Sequence, residues 1–285
     1  MKIELNYQVV NDIRSYLNSE NTDIESFSKE AEISKSTISQ IFKTNTTTVL
    51  NYERIYSFIY KRGYRLNLTK EKILKESNKL ILFHGSKFGL TNIDVNGSRE
   101  NCDFGHGLYL GESYKNAACF VCENKESSIY SFEMDLSGLK ILEFDTSIEW
   151  MLAICFYRKT IKEYSNSKII KDIIDRINAS DVIIAPIADN RMFYIMSLFA
   201  NGDINSEVAV HSLSASFLGK QYILKTKKAI SKLHPIEKYY LCTPEKEDYI
   251  NFLNTRTSEI DVTLKEARRE YRNGLFIEEL LKWEN

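Results

Sequence analysis

Three short stretches of this chain concentrate residues able to do chemistry. The first is "LFHGS", where His84 ends an apolar run and is followed by Gly85 and Ser86. An imidazole at a strand end can project into a cleft, and a glycine beside it lets a ligand approach the backbone. Taken alone, such a histidine reads more often as a structural hydrogen-bonder. The second is "NCDFGHGLYLGES", in which Gly105 and Gly107 flank His106 ahead of a strand-like "LYL". Alternation puts Tyr109 on one face and Leu108 and Leu110 on the other. Ser113 then reads as the N-cap of a helix "SYKNAACF" that carries Phe120. A ring from the strand and a ring from the helix would sandwich a flat ligand. The third is "IIAPIADNRMF", where Asp189 and Arg191 follow a buried-looking run; a helix N-cap and a surface arginine are the plainer reading of that pair.

The elements that must position these residues start near residue 80. Apolar runs of strand length recur in "KLILFHG", "GLYLGE", "SIYSFEMDL", "LKILEFD", "DVIIAPI" and "KQYILKT". Helical stretches lie between them: "SYKNAACFVCE", "EWMLAICFYRKTIKEY", "SKIIKDIIDRINAS" and "RMFYIMSLFANG". The order is not a regular strand–helix alternation, so the expected class is α+β rather than a doubly wound sheet. The charged tail from "EIDVTLKEARRE" onward reads as helix lying across this part of the chain.

Residues 1–75 read as helix throughout. Val10, Ile13 and Leu17 form one apolar stripe, and Ile24, Phe27 and Ala31 a second. After a turn at Glu32-Ile33, Ser34 caps a helix that turns Ile38, Ile41 and Phe42 inward. Its other face carries Lys35, Ser36, Thr37, Ser39, Gln40 and Lys43. This outline resembles a helix-turn-helix of the phage-repressor type, in which such a face enters the major groove. Hydroxyls and amides read bases and lysines hold phosphates, so these six positions are the expected DNA contacts. A solvated face, or a docking module for a protein partner, is the alternative. The expected division is 1–66 helical, 67–79 a partly helical linker, and 80–285 the second domain.

Composition narrows the field further. Formal net charge is -1, which selects no partner, although 44–75 holds seven Lys/Arg against two Glu. No apolar run approaches a membrane span and the N-terminus lacks a signal-peptide core, so the expected location is cytoplasmic, with no membrane partner. Five cysteines do not read as a disulfide framework. Cys119 and Cys122 have zinc-like spacing without a second pair, and read as buried thiols; no metal is expected.

"HGS" followed by "FGHGLYLGESYKNAACF" resembles the signature of the ADP-ribosyltransferase superfamily, nearest the branch of the poly-ADP-ribose polymerase catalytic domain. The whole chain resembles bacterial proteins that join a helix-turn-helix-like N-terminus to an ADP-ribosyltransferase-like domain. "LFHGS", "SREN-DFG-G-Y", "IIAPIADNRMF" and "LG-QY" occur in that order, and the likeness spans nearly all of 20–285. It implies a split-sheet domain that takes nicotinamide adenine dinucleotide (NAD) as substrate. His84 would bond a ribose hydroxyl, and the Gly85 backbone would meet the nicotinamide amide. Tyr109 and Phe120 would stack on the pyridine ring. Ser86, Phe104, Gly105 and Gly107 complete the implied NAD contacts. Ala117 stands where the polymerase branch has a serine. Gln221 stands where the superfamily has a glutamate, so the negative charge that stabilises an oxocarbenium-like sugar is missing there. Asp189 is the expected substitute, Arg191 and Arg99 the expected pyrophosphate holders, and Asp103 a brace for the glycine turn. The implied activity is ADP-ribosyl transfer to an unidentified acceptor, in a toxin or defence role, with DNA or an antitoxin-like protein at the N-terminal domain. NAD hydrolysis, or a DNA-binding regulator that senses NAD without catalysis, are the rival readings.

Overall fold

The computed structural model describes residues 1–214, 218–255 and 260–282, and the class is α+β. Five helices come first: α1 Val9–Ser19, α2 Ile24–Glu30, α3 Lys35–Thr44, α4 Val49–Lys61 and α5 Leu66–Lys75. Their starts follow local chemistry. Asp23, Ser34 and Thr48 each accept a hydrogen bond from a backbone N–H of the first turn they cap. Glu32 takes the left-handed conformation (φ 55°) in the turn between α2 and α3, a position that more often holds glycine. Phe27, Ile33, Ile38, Ile41, Ile55 and Ile59 close the core of this bundle. Lys35, Ser36, Ser39, Gln40 and Lys43 face solvent and Thr37 is half-buried.

The segment expected as a linker is mostly α5, and it is packed rather than free. Asn67 is buried and its amide reaches Tyr114 Oη (2.7 Å), the Tyr240 carbonyl (3.0 Å) and Glu245 Oε2 (3.0 Å). Tyr240 itself stacks on Tyr56 at 5.0 Å, so the bundle and the rest of the chain share a buried seam.

Next come β1 Ile81–Ser86, β2 Leu108–Gly111, α6 Tyr114–Val121, β3 Ser128–Met134, β4 Ile141–Glu143, α7 Ile148–Tyr157, α8 Lys168–Asn178 and β5 Val182–Pro186. They are followed by α9 Asn190–Ala200, α10 Ser206–Ser214, β6 Lys220–Leu224, α11 Lys227–Ser231, β7 Leu233–Tyr240, α12 Thr243–Thr255, α13 Ile260–Glu270 and α14 Ile277–Lys282. The strands form one seven-stranded sheet in the order β4-β5-β6-β2-β1-β3-β7. Only β4 and β5 run parallel. The edge strand β7 was not evident in the sequence. Pro235 interrupts its pattern, and the structure absorbs the proline at a register shift against Ser131/Phe132.

Alternation divides the sheet into two faces. Leu82, Leu108, Leu110, Phe132, Ile184 and Leu224 point to one side, where Ile3, Ile93 and Ile230 cover them. The other side carries two separate apolar clusters. One lies beneath α6 and includes Phe83 and Ile129. The other gathers Trp150, Ile183, Phe199 and Ile223 with Leu264, Ala267 and Ile277 of the C-terminal helices. Residues 260–282 therefore do lie against this part of the chain, and 283–285 fall outside the described residues. Among the described residues no helix is long and apolar enough to cross a membrane.

Candidate active site

The strip of sheet between those two clusters carries Gly85, Tyr109 and Gln221, whereas His84 alternates onto the side of Leu82 and Tyr130. Pairing register sets one cross-strand row: Ser131, Phe83, Gly111, Gln221 and Ala185, on β3, β1, β2, β6 and β5. The next row along β2 and β6 pairs Tyr109 with Ile223. Gly85 and Gly111 put no side chain on this face, where α6 packs over both through Ala117, Val121 and Asn116. β1 and β2 share a single register pair, Phe83 with Gly111, whereas β1 and β3 pair along their whole length. Beyond Phe83 the two strands part, and the His84 ring spans the opening: Nδ1 lies 2.8 Å from the Tyr109 carbonyl oxygen. A carbonyl only accepts, so Nδ1 carries the hydrogen and Nε2 keeps its lone pair. Burial pushes the imidazole pKa below its ordinary value, with the bond to Tyr109 opposing it.

Gly85 is required by close packing. A Cβ there would stand 2.4 Å from the Ala117 carbonyl oxygen and 2.9 Å from Val121 Cγ1. Helix α6 thus rests directly on β1. Gly85→Ala is expected to cost about 1–3 kcal/mol by forcing the helix off the strand, read as a lower denaturant midpoint with unchanged slope. A midpoint equal to wild type would show that α6 is not seated on this glycine.

Ser113 caps α6 through the Asn116 N–H at 3.2 Å, as expected. Asn116 donates from its amide to the Leu218 carbonyl at 2.9 Å, and Phe120 follows one turn later, 68% exposed. Lys87, just past β1, holds its ammonium 5.9 Å from the Phe120 ring. Phe88 beside it is 87% exposed. Two bare phenyl rings and a lysine therefore line the exit of the strand that carries His84 and Gly85. Ser86 donates to the Gly89 carbonyl at 2.6 Å, which shapes that exit.

The glycine stretch is a preformed loop. Tyr109 Oη donates to the Gly105 carbonyl (2.7 Å) and accepts from the Phe104 N–H (3.0 Å). Burial drives the phenol far above its ordinary pKa. Its hydroxyl thus staples the loop, and its half-buried ring packs against the cluster of Trp150, Ile183 and Ile223. Lys225 donates to the Phe104 and His106 carbonyls, both at 2.6 Å, and burial pulls its pKa down to about 8. Gly107 donates to Ser98 Oγ at 3.0 Å. Gly105 has φ 71°, and a Cβ on it would stand 2.7 Å from the Tyr157 ring; one on Gly107 would stand 2.6 Å from Ile223. Close packing of the loop, rather than room for a ligand, accounts for both glycines.

Three of the expected contacts are corrected. The Phe104 side chain is fully buried, stacked on Phe144 at 5.6 Å, so it belongs to the core. Asp189 is the N-cap of α9, accepting from the Arg191 and Met192 N–H groups at 3.0 Å. Its other oxygen takes the Arg191 Nε at 2.7 Å and Nη2 at 2.6 Å. The helix end and the guanidinium absorb this carboxylate's charge, and Arg191 is itself 9% exposed. Arg99 is exposed, in the loop ahead of the glycines.

The carboxylate that does reach Gln221 belongs to Asp103. Gln221 Nε2 lies 3.4 Å from Asp103 Oδ2 and 3.0 Å from the Pro186 carbonyl. Arg158, at the end of α7, donates to Asp103 Oδ1 through Nε (3.0 Å) and Nη2 (2.8 Å), and its guanidinium lies 3.3 Å over the Phe193 ring. Arg158 and Lys225 escaped the sequence reading because nothing in their local sequence marks them as partners of the glycine loop. Only the return of α7 and β6 to the loop makes them part of the site. Cys119 is half-buried and Cys122 buried, and neither is in a disulfide.

Residues 80–234 match the family model described as "Protein of unknown function (DUF3990)", so the chain belongs to the DUF3990 family. No curated protein and no solved structure matches the chain.

Proposed function

We propose that the chain is an ADP-ribosyltransferase that uses NAD, with the strip between the two apolar clusters as its site. The observation that carries this reading is the parting of β1 and β2 after a single pair, with the His84 imidazole at the opening. Phe120, unusually exposed for a phenyl group, offers one stacking face and the Tyr109 ring the other. His84 Nε2 accepts a ribose hydroxyl.

The bond that breaks joins the ribose C1′ to the pyridinium nitrogen. Its electron pair leaves with nicotinamide, and C1′ becomes cationic until an acceptor nucleophile attacks and sheds its proton. The chain contributes position: a loop held by Tyr109 and Lys225 before substrate arrives needs little reorganisation. Purified full-length protein incubated with NAD should release nicotinamide, with ADP-ribose added to an acceptor in cell lysate. Free ADP-ribose alone would identify a hydrolase. Binding without release would identify a sensor, and neither binding nor release would overturn the reading.

For the helical bundle the proposal is duplex DNA, supported by the solvent-facing Lys35, Ser36, Ser39, Gln40 and Lys43 on α3. Lys35 also pairs with Glu25 at 2.5 Å, so the phosphate contact expected of it competes with an internal one. Duplex binding should weaken steeply with salt, and Lys43→Ala should reduce that slope by about one. No binding at low salt would assign the face to a protein partner instead. The expected location for this chemistry, where NAD is abundant, is the cytoplasm.

A further inference from the structure

We infer that Asp103 is the positioning residue that aims Gln221, holding its carbonyl oxygen toward the substrate strip as a neutral acceptor for a sugar hydroxyl. This rests on the NAD reading for the identity of the ligand, but the orientation itself follows from the side chains. Asp103 Oδ2 and the Pro186 carbonyl oxygen can only accept. Both lie within reach of the same atom of Gln221, which must therefore be the NH2 group, with its two hydrogens directed at them. Pro186 lies on the β5 side of β6, and Gly111, with no side chain, on the β2 side. Oε1 is left as the free end of the amide, on the side of the strip. Gln221 is 8% exposed and Asp103 8%, so water competes little for these bonds.

Arg158 completes the arrangement. It takes Asp103 Oδ1 twice, which leaves Oδ2 for the amide. The negative charge absent from position 221 is therefore not lost from the site. It sits behind the amide, already paired with a cation, and polarises an acceptor instead of facing the sugar directly. A carboxylate at 221 in this rotamer would confront both Asp103 Oδ2 and the Pro186 carbonyl, so a glutamate there is disfavoured while Asp103 is present.

The test is a set of three full-length variants. In Asp103→Asn the new amide oxygen stays with Arg158, and its NH2 group meets the Gln221 NH2 group. Nicotinamide release, as kcat/KM, should fall about tenfold, the loss of roughly one hydrogen bond. Gln221→Glu should fall at least as far. The double variant reverses donor and acceptor between 103 and 221 but leaves the Pro186 carbonyl against a carboxylate oxygen, so it should recover in part and stay well above the product of the two single losses, a coupling that independent sites do not show. Gln221→Glu alone matching wild type, or a double variant showing the product of the two losses, would overturn the proposal. A second readout needs no NAD: by NMR, both Gln221 side-chain amide hydrogens should exchange slowly in wild type, and Asp103→Asn should speed them. Slow exchange and its loss without any nicotinamide release would leave the aiming role standing and discard the NAD reading. Turnover with amide exchange indifferent to Asp103→Asn would do the reverse.

Discussion

His84→Ala should reduce nicotinamide release from NAD by about a hundredfold, the scale of misplacing a bound substrate by a fraction of its length. The imidazole does two things at once. Its Nδ1–H satisfies the Tyr109 carbonyl where β1 and β2 have parted, which leaves Nε2 with the lone pair that the proposal assigns to a ribose hydroxyl. Alanine removes both, and an abandoned carbonyl costs about 1–3 kcal/mol of its own. His84→Asn separates the effects, because a carboxamide can still donate to Tyr109 while presenting a shorter, differently placed acceptor. The asparagine variant should melt near wild type and still lose most activity. Unchanged release in either variant would remove His84 from the chemistry. The pH profile adds a signed check. Burial holds the imidazole pKa below its ordinary 6.5, so Nε2 keeps its lone pair at neutral pH. Activity should stay level as pH falls through 6.5 and decline only further into acid, as Nε2 gains a proton.

The second large effect concerns stability. Glu245 lies in the first turn of α12, 4% exposed, accepting from Asn67 at 3.0 Å in the seam between the helical bundle and the sheet. Burial raises its pKa from 4.5 to about 7, with the hydrogen bonds from Tyr114 and Asn67 opposing the rise. The folded state therefore favours the protonated carboxyl. The stability this group contributes is fully present below about 4.5 and is lost as pH rises through about 7. That interval corresponds to about 3 kcal/mol, or a fall in melting temperature of roughly 6–10 °C for a chain of this size. Glu245→Gln keeps the shape and cannot ionise, so its melting temperature should vary less with pH by that amount. Parallel curves for the two proteins would show that Glu245 stays ionised in the fold.

The two cases differ in how visible they are along the chain. His84, Tyr109 and Gln221 stand in short motifs with glycines beside them, so local pattern identifies them. Glu245 sits in "TPEKED", which reads as an ordinary charged helix start; its burial comes from Asn67 and Tyr114, far away in sequence. The same contrast separates Asp189 from Asp103. Each is an acid near a motif. One is consumed by capping α9 and pairing with Arg191, a use that the local "DNR" spelling permits. The other reaches Gln221 because a stapled loop carries it there. Phe104 illustrates the opposite error. Adjacent to the glycines it reads as a ligand contact, yet Phe144 and the core claim it.

Strand-length apolar runs, capped helices and the α+β class were determined by local sequence, because alternation, N-cap hydrogen bonds and glycine freedom act over a few residues. The six regularly patterned strands were legible for that reason, and β7 was not, since a proline at a bulge breaks the period. Tertiary structure alone decided which carboxylate serves Gln221, what the Tyr109 hydroxyl holds, and why Gly85 admits no side chain. Each of these depends on a partner brought in by another element: Arg158 from the end of α7, the Pro186 carbonyl from β5, the Ala117 carbonyl from α6. Hydrogen bonds and close packing between distant segments have no period to read along a chain, and they exist only once the sheet has set its register.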